Sequence, residues 1–164
     1  MNRRSFLVGA VAAACLPGAD LSGGALSGGA WAHVGHEEAE FGKPGDPGKP
    51  ARIVQVVMRD ADGRMLYLPN RVVVRRGEQV RFLLRNNGVI DHEFVIGTAE
   101  ENRRHMKAME AHPDIEHDGP NAKRLKPGAT GEIVWQFTKA GTFEFACLIP
   151  GHYQAGMVGT IVVE

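Results

Sequence analysis

The sequence predicts an all-β fold, an antiparallel β-sandwich with one short helical insertion. Three observations lead there: short β-branched and aromatic runs recur from Arg52 onward, turn residues separate them, and a single stretch rich in helix formers interrupts the rhythm. Residues 53–58 read as the first strand, and Asp60-Ala61-Asp62-Gly63 after it is a turn signal. Residues 72–74, 79–85 and 93–96 follow as strands. In the second of these, Arg81 and Arg85 interrupt the apolar residues, as in a partly solvated strand. Residues 99–111 are rich in helix formers, and Pro113, Gly119-Pro120 and Pro127-Gly128 prevent a long helix. Ile133, Trp135 and Phe137 then alternate with Val134 and Gln136, Phe143 and Phe145 share one face, and residues 157–163 close the chain.

The first stretch does not read as fold. Arg3-Arg4 precedes an apolar run over residues 7–16, and Ala30-Trp31-Ala32 offers an A-x-A-type cleavage site. That run is shorter than the about 20 residues of a bilayer-spanning helix. The expected organisation is a twin-arginine-type signal peptide over 1–32, a flexible His/Gly/Pro-containing arm over 33–50, and one domain over 51–164. The expected location is therefore the periplasm, with no membrane attachment after processing. Nineteen basic and nineteen acidic residues balance, so neither nucleic acid nor an anionic membrane surface is an expected partner.

Of two cysteines, Cys15 would leave with the signal, and Cys147 would stand alone in an oxidising compartment. Such a thiol has no internal disulfide partner and must be a buried structural residue, a nucleophile or a metal ligand. Its neighbours separate these roles. Cys147-Leu148-Ile149-Pro150-Gly151-His152-Tyr153-Gln154-Ala155-Gly156-Met157 places a cysteine at a strand end, a histidine five residues on, and a methionine five further. Pro150-Gly151 and Gly156 make the segment a turning loop, so that the three side chains can converge. His92, opening an apolar strand, is the candidate fourth donor. Two imidazoles and a thiolate with a weak thioether suit both oxidation states of copper, and coordination also removes the free thiol. A zinc site would carry more Cys and His, and no Cys-x-x-Cys exists here. A cysteine hydrolase would place its nucleophile at an activating helix N-terminus rather than a strand end. A packed core with Cys147 and Met157 as ordinary residues is the remaining alternative.

His92 together with Cys147-x4-His152-x4-Met157 resembles the type 1 copper motif of the plastocyanin/azurin (cupredoxin) family. The resemblance covers about the last hundred residues. His92-Glu93-Phe94, Pro127-Gly128, Phe143-Glu144-Phe145-Ala146-Cys147 and Pro150-Gly151-His152-Tyr153-Gln154-Ala155-Gly156-Met157 are most similar to exported bacterial cupredoxins associated with copper tolerance. The resemblance implies a Greek-key sandwich with one type 1 copper at one end, held by His92, Cys147, His152 and Met157. It also implies one-electron transfer or copper tolerance, or both, with His152 as the electron port. A cytochrome- or oxidase-like redox partner would then dock on a rim of Leu148, Ile149, Pro150 and Tyr153. Many family members carry Asn after the first histidine, where it ties the ligand loops together; this chain has Glu93.

Further donors could make additional copper sites, for buffering or transfer. His105, Met106 and Met109 lie in the helical stretch, with His112 and His117 beyond it, and His33 and His36 open the expected mature chain. The competing reading of the insertion is an amphipathic cap whose methionines pack on the sandwich. Multicopper oxidases and copper nitrite reductases use His-x-His pairs and a second domain; no His-x-His occurs here, so the expectation is a non-enzymatic protein, with Cu(I) oxidation as the lesser alternative.

Overall fold

The computed structural model describes residues 39–111 and 119–164. Ten strands and one helix run in the order β1 (Gly42–Pro44), β2 (Arg52–Ala61), β3 (Arg64–Leu68), β4 (Arg71–Val74), β5 (Gln79–Asn86), β6 (His92–Gly97), α1 (Ala99–Ala111), β7 (Ala122–Leu125), β8 (Thr130–Phe137), β9 (Gly141–Ala146) and β10 (Val158–Val163). They form two five-stranded sheets, ordered β1-β8-β5-β2-β3 and β4-β10-β9-β6-β7. The all-β sandwich with a short helix is thus the architecture. Pairing is antiparallel apart from β2 with β5 and β4 with β10, which are parallel, so each sheet is mixed.

Alternation accounts for the packing. In β5 the buried residues are Val80, Phe82, Leu84 and Asn86, with Arg81 and Arg85 on the other face. Ile133, Trp135 and Phe137 of β8 and Phe143 and Phe145 of β9 turn to the same interior. Phe94 lies at its centre, stacked on Phe145 at 4.9 Å between centroids and edge-on to Tyr67 at 5.7 Å.

Three strands escape the sequence pattern. β3 returns from β2 through Asp62-Gly63, both at positive φ (54° and 73°), a tight hairpin that fits the Asp-Gly turn signal. β7 has only four residues, and Lys123 and Arg124 break its apolar pattern. β1 corrects the reading of 33–50 as an arm outside the core, within its described part. Gly42–Pro44 pairs with β8, and Phe41, 1% exposed, stacks on Trp135 at 5.1 Å. A single buried aromatic anchors a segment whose Gly and Pro content reads as loop.

The helix begins with a capping box. Thr98 Oγ1 accepts the Glu101 N–H (3.1 Å), and the Glu101 carboxylate accepts the Thr98 N–H (2.8 Å). Met109 is buried, and Met106 packs against Val95, Ala122, Ala146 and Leu148, as the cap reading requires. Phe94→Ala should remove the centre of the aromatic cluster and lower stability by about 3–5 kcal/mol. Urea unfolding of the metal-free protein checks this: the midpoint should fall sharply.

Candidate metal centre

Strand order builds the site. β9 lies between β6 and β10, with Ala146 opposite Val95 on one side and Val158 on the other. The next residue, Cys147, therefore emerges between the start of β6, which carries His92, and the residue before β10, which is Met157. The Cys147 N–H donates to the Met157 carbonyl (3.1 Å), and the Met157 N–H to the His152 carbonyl (3.1 Å). The loop between them is wound tightly. The His152 N–H reaches the Ile149 carbonyl at 3.0 Å and the Ala155 N–H reaches Gly151 at 3.0 Å, while Gly151 and Gly156 take positive φ. Tyr153 Oη donates to Glu144 Oε1 (3.2 Å) and ties this loop back to β9.

Three of the four expected ligands bring their donor atoms together. Those of His92, Cys147 and His152 lie within 4.8 Å of one another, the one such group found among the His, Cys, Asp and Glu of the described residues. His152 Nδ1 is 3.2 Å from Cys147 Sγ and 3.3 Å from His92 Nδ1. Donors bound to one ion at about 2.0–2.3 Å fall about 3–4 Å apart, so the spacing fits a common metal. Met157 is fully buried and shares the core cluster with Cys147.

The electrostatics fit a metal as well. Burial pushes the Cys147 thiol up to about 12, so it does not ionise unaided at neutral pH. Burial lowers the His152 imidazole and favours its neutral form. A buried thiol beside a neutral imidazole is a donor set that a soft cation completes.

Several residues outside the expected set shape the centre. The Glu93 N–H points at Cys147 Sγ (3.3 Å), and the buried Tyr67 Oη donates to the Glu93 carbonyl. The Glu93 side chain is itself fully buried, and neither carboxylate oxygen has a well-formed hydrogen bond. Burial raises its pKa, opposed by the Arg124 charge and the Leu148 backbone. Arg124 sits opposite Glu93 in the β6–β7 register. At the position where Asn is common, the backbone reaches the sulfur while the side chain is a buried acid. His92 Nε2 bonds Asp60 Oδ1 at 2.8 Å. Burial would raise the Asp60 carboxyl, but hydrogen bonds from His92 and the Val89 N–H outweigh it, and the net shift is downward. Asp60 reads in the sequence as part of a turn; its link to His92 crosses between sheets and leaves no local signal.

The expected rim is altered. Leu148 is 1% exposed and belongs to the packing under α1, whereas Ile149 and Tyr153 are half-buried and Pro150 exposed. Val89 and Ile90, just before His92, are exposed at 80% and 38% and were not expected there. Among the expected additional donors, His105 joins no cluster of three His, Cys, Asp or Glu among the described residues. His33, His36, His112 and His117 lie outside the described residues.

A two-sheet sandwich with a buried His-Cys-His cluster at the strand ends of one sheet defines a mononuclear metal protein. Residues 54–164 match the family model of copper binding proteins of the plastocyanin/azurin family. The chain belongs to that family, the cupredoxins, and copper is its cofactor. It is 53% identical over 135 residues to the copper-resistant cuproprotein CopI of Rubrivivax gelatinosus, covering 82% of this chain and 80% of that one. To the copper-resistant cuproprotein CopI of Pseudomonas aeruginosa it is 37% identical, covering 82% and 88%. The reduced auracyanin of Roseiflexus castenholzii shares the fold at a TM-score of 0.57 and 24% identity, covering 71% of this chain and 99% of that one.

Tyr67→Phe should leave the buried Glu93 carbonyl without its donor and cost about 1–3 kcal/mol. Denaturation of the metal-free variant, compared with the parent protein, gives the value directly.

Proposed function

We propose that His92, Cys147, His152 and Met157 hold one type 1 copper, and that the protein works in the periplasm in one-electron transfer and copper tolerance. The observation that carries the reading is the convergence of two imidazole nitrogens and a thiol sulfur within 4.8 Å at one buried end of the sandwich. Bound copper supplies a Cu(II)/Cu(I) couple. The chain's own residues do the rest. Cys147, His152 and Met157 are bonded backbone to backbone through the loop, and His92 is held on a separate strand. Such a frame resists change of geometry between oxidation states and excludes water from the sulfur.

Copper tolerance is supported by the relatives in Rubrivivax gelatinosus and Pseudomonas aeruginosa, both named as copper-resistant cuproproteins. Periplasmic location rests on the twin-arginine opening and the cleavage motif over 1–32. Among the described residues no helix is long and apolar enough to cross a membrane. For electron exchange, Ile149, Pro150 and Tyr153 of the ligand loop, with Val89 and Ile90, offer an apolar surface to a cytochrome- or oxidase-like partner. The reading makes the chain a carrier or handler of copper rather than an enzyme. Of the donors expected for further copper, Met106 and Met109 are taken up by packing under the helix, which leaves His33 and His36 of the arm and His105 and His112 of the insertion as the donors to test.

Metal analysis with visible spectroscopy tests the centre. The processed protein should carry at least one copper and an intense thiolate charge-transfer band, and Cys147→Ser should abolish that band. A folded, copper-loaded protein without the band would refute the ligand assignment. Ile149→Asp should slow electron exchange, while the distant Lys49→Glu should scarcely change it; the reverse pattern would move the port elsewhere. His33→Ala/His36→Ala should lower the copper count or loading rate; values equal to the parent's would remove the arm from the copper donors.

A further inference from the structure

We propose that Asp60 is the positioning residue of the His92 ligand. Its carboxylate fixes the tautomer and orientation of that ring, and its charge biases the copper couple toward Cu(II). The proposal rests on the copper reading above for its redox part alone.

A carboxylate accepts hydrogen bonds and does not donate them. With Asp60 Oδ1 2.8 Å from His92 Nε2, the ring hydrogen therefore belongs on Nε2. Nδ1 is left with its lone pair, and Nδ1 is the atom 3.3 Å from His152 Nδ1 inside the donor cluster. The His92 side chain has no exposed surface and that of Asp60 is 14% exposed, so the pair is shielded and its geometry is not averaged by water.

The surroundings are shaped around this contact. The Val89 N–H donates to both Asp60 oxygens, at 3.0 and 3.1 Å, holding the carboxylate from the loop side. Buried Asn86 organises that loop: its Oδ1 accepts the Gly88 N–H (2.8 Å), and its Nδ2 donates to the Ile90 and Leu125 carbonyls (2.8 and 2.9 Å). Gly88 faces the contact itself. A Cβ there would lie 1.6 Å from Asp60 Oδ1 and 2.8 Å from His92 Nε2. Asp60 belongs to β2 and His92 to β6, so the bond also joins the two sheets at the metal end. Carboxylate partners of ligating histidines raise the basicity of the ring, which strengthens its bond to the more highly charged ion.

Two readouts separate positioning from mere stability. In the metal-free protein, nitrogen-15 NMR of the imidazoles should find His92 as the Nε2–H tautomer. Asp60→Asn keeps an acceptor and should keep that tautomer, whereas Asp60→Ala should lose it. In the copper protein, Asp60→Asn should raise the reduction potential. Loss of such a partner weakens metal binding about 10- to 100-fold; a tenfold loss falling on Cu(II) alone reads as a rise of about 59 mV. Gly88→Ala, whose Cβ breaks the contact by crowding both the carboxylate and the His92 ring while leaving the charge in place, should shift the potential in the same direction. An Nδ1–H tautomer in the parent protein would overturn the positioning claim. A potential in Asp60→Asn that coincides with the parent value would overturn the redox claim. The tautomer is read without copper, so it stands or falls independently of the ligand assignment.

Discussion

A thiol buried in the end of a β-sandwich, 3.2 Å from an imidazole nitrogen, sets the constraint that the rest of the centre answers. Burial holds that thiol protonated, and its one polar neighbourhood consists of donors suited to a metal. The arrangement persists because Cys147 leaves β9 between two strands already hydrogen-bonded to it. The same ladder that buries Phe143 and Phe145 delivers the sulfur to the site. Core packing and metal chemistry are thus consequences of one register.

Around this contact the protein spends polar groups that a plain sandwich would not bury. Asn86, His92 and Glu93 are all fully buried. Asn86 is satisfied by the carbonyls of Ile90 in the loop and Leu125 in β7, and His92 is satisfied by Asp60. Glu93 turns its backbone to the sulfur and its carbonyl to Tyr67, and leaves an acid beside Arg124. Unpaired buried acids destabilise a fold unless neutralised or partnered. The centre is therefore a place where packing stability is exchanged for a shaped electrostatic environment.

The surface reflects a division of labour within one loop. Leu148 turns inward beneath α1, Ile149 is half-buried against the main core, and Pro150 is exposed close to His152. Two adjacent apolar residues therefore serve different clusters, Leu148 packing under the helical cap and Ile149 against the main core while keeping part of its surface exposed. Alternation cannot forecast this, because the segment is a loop without a strand's period of two.

The sequence by itself determined the sandwich, the helix over residues 99–111, and the donors whose spacing is local. A period of two in β5, β8 and β9 dictates which faces are buried, and five-residue steps bring Cys147, His152 and Met157 around one turning loop. Only the tertiary structure decided what depends on contacts between distant segments. These are the pairing of β1 under the Phe41 anchor, the parallel pairs within each sheet, the bond from Asp60 to His92, and the inward turn of Leu148. The physical reason is range. Periodicity and spacing encode how neighbours along the chain face, whereas a hydrogen bond between β2 and β6 exists only once both sheets are in place.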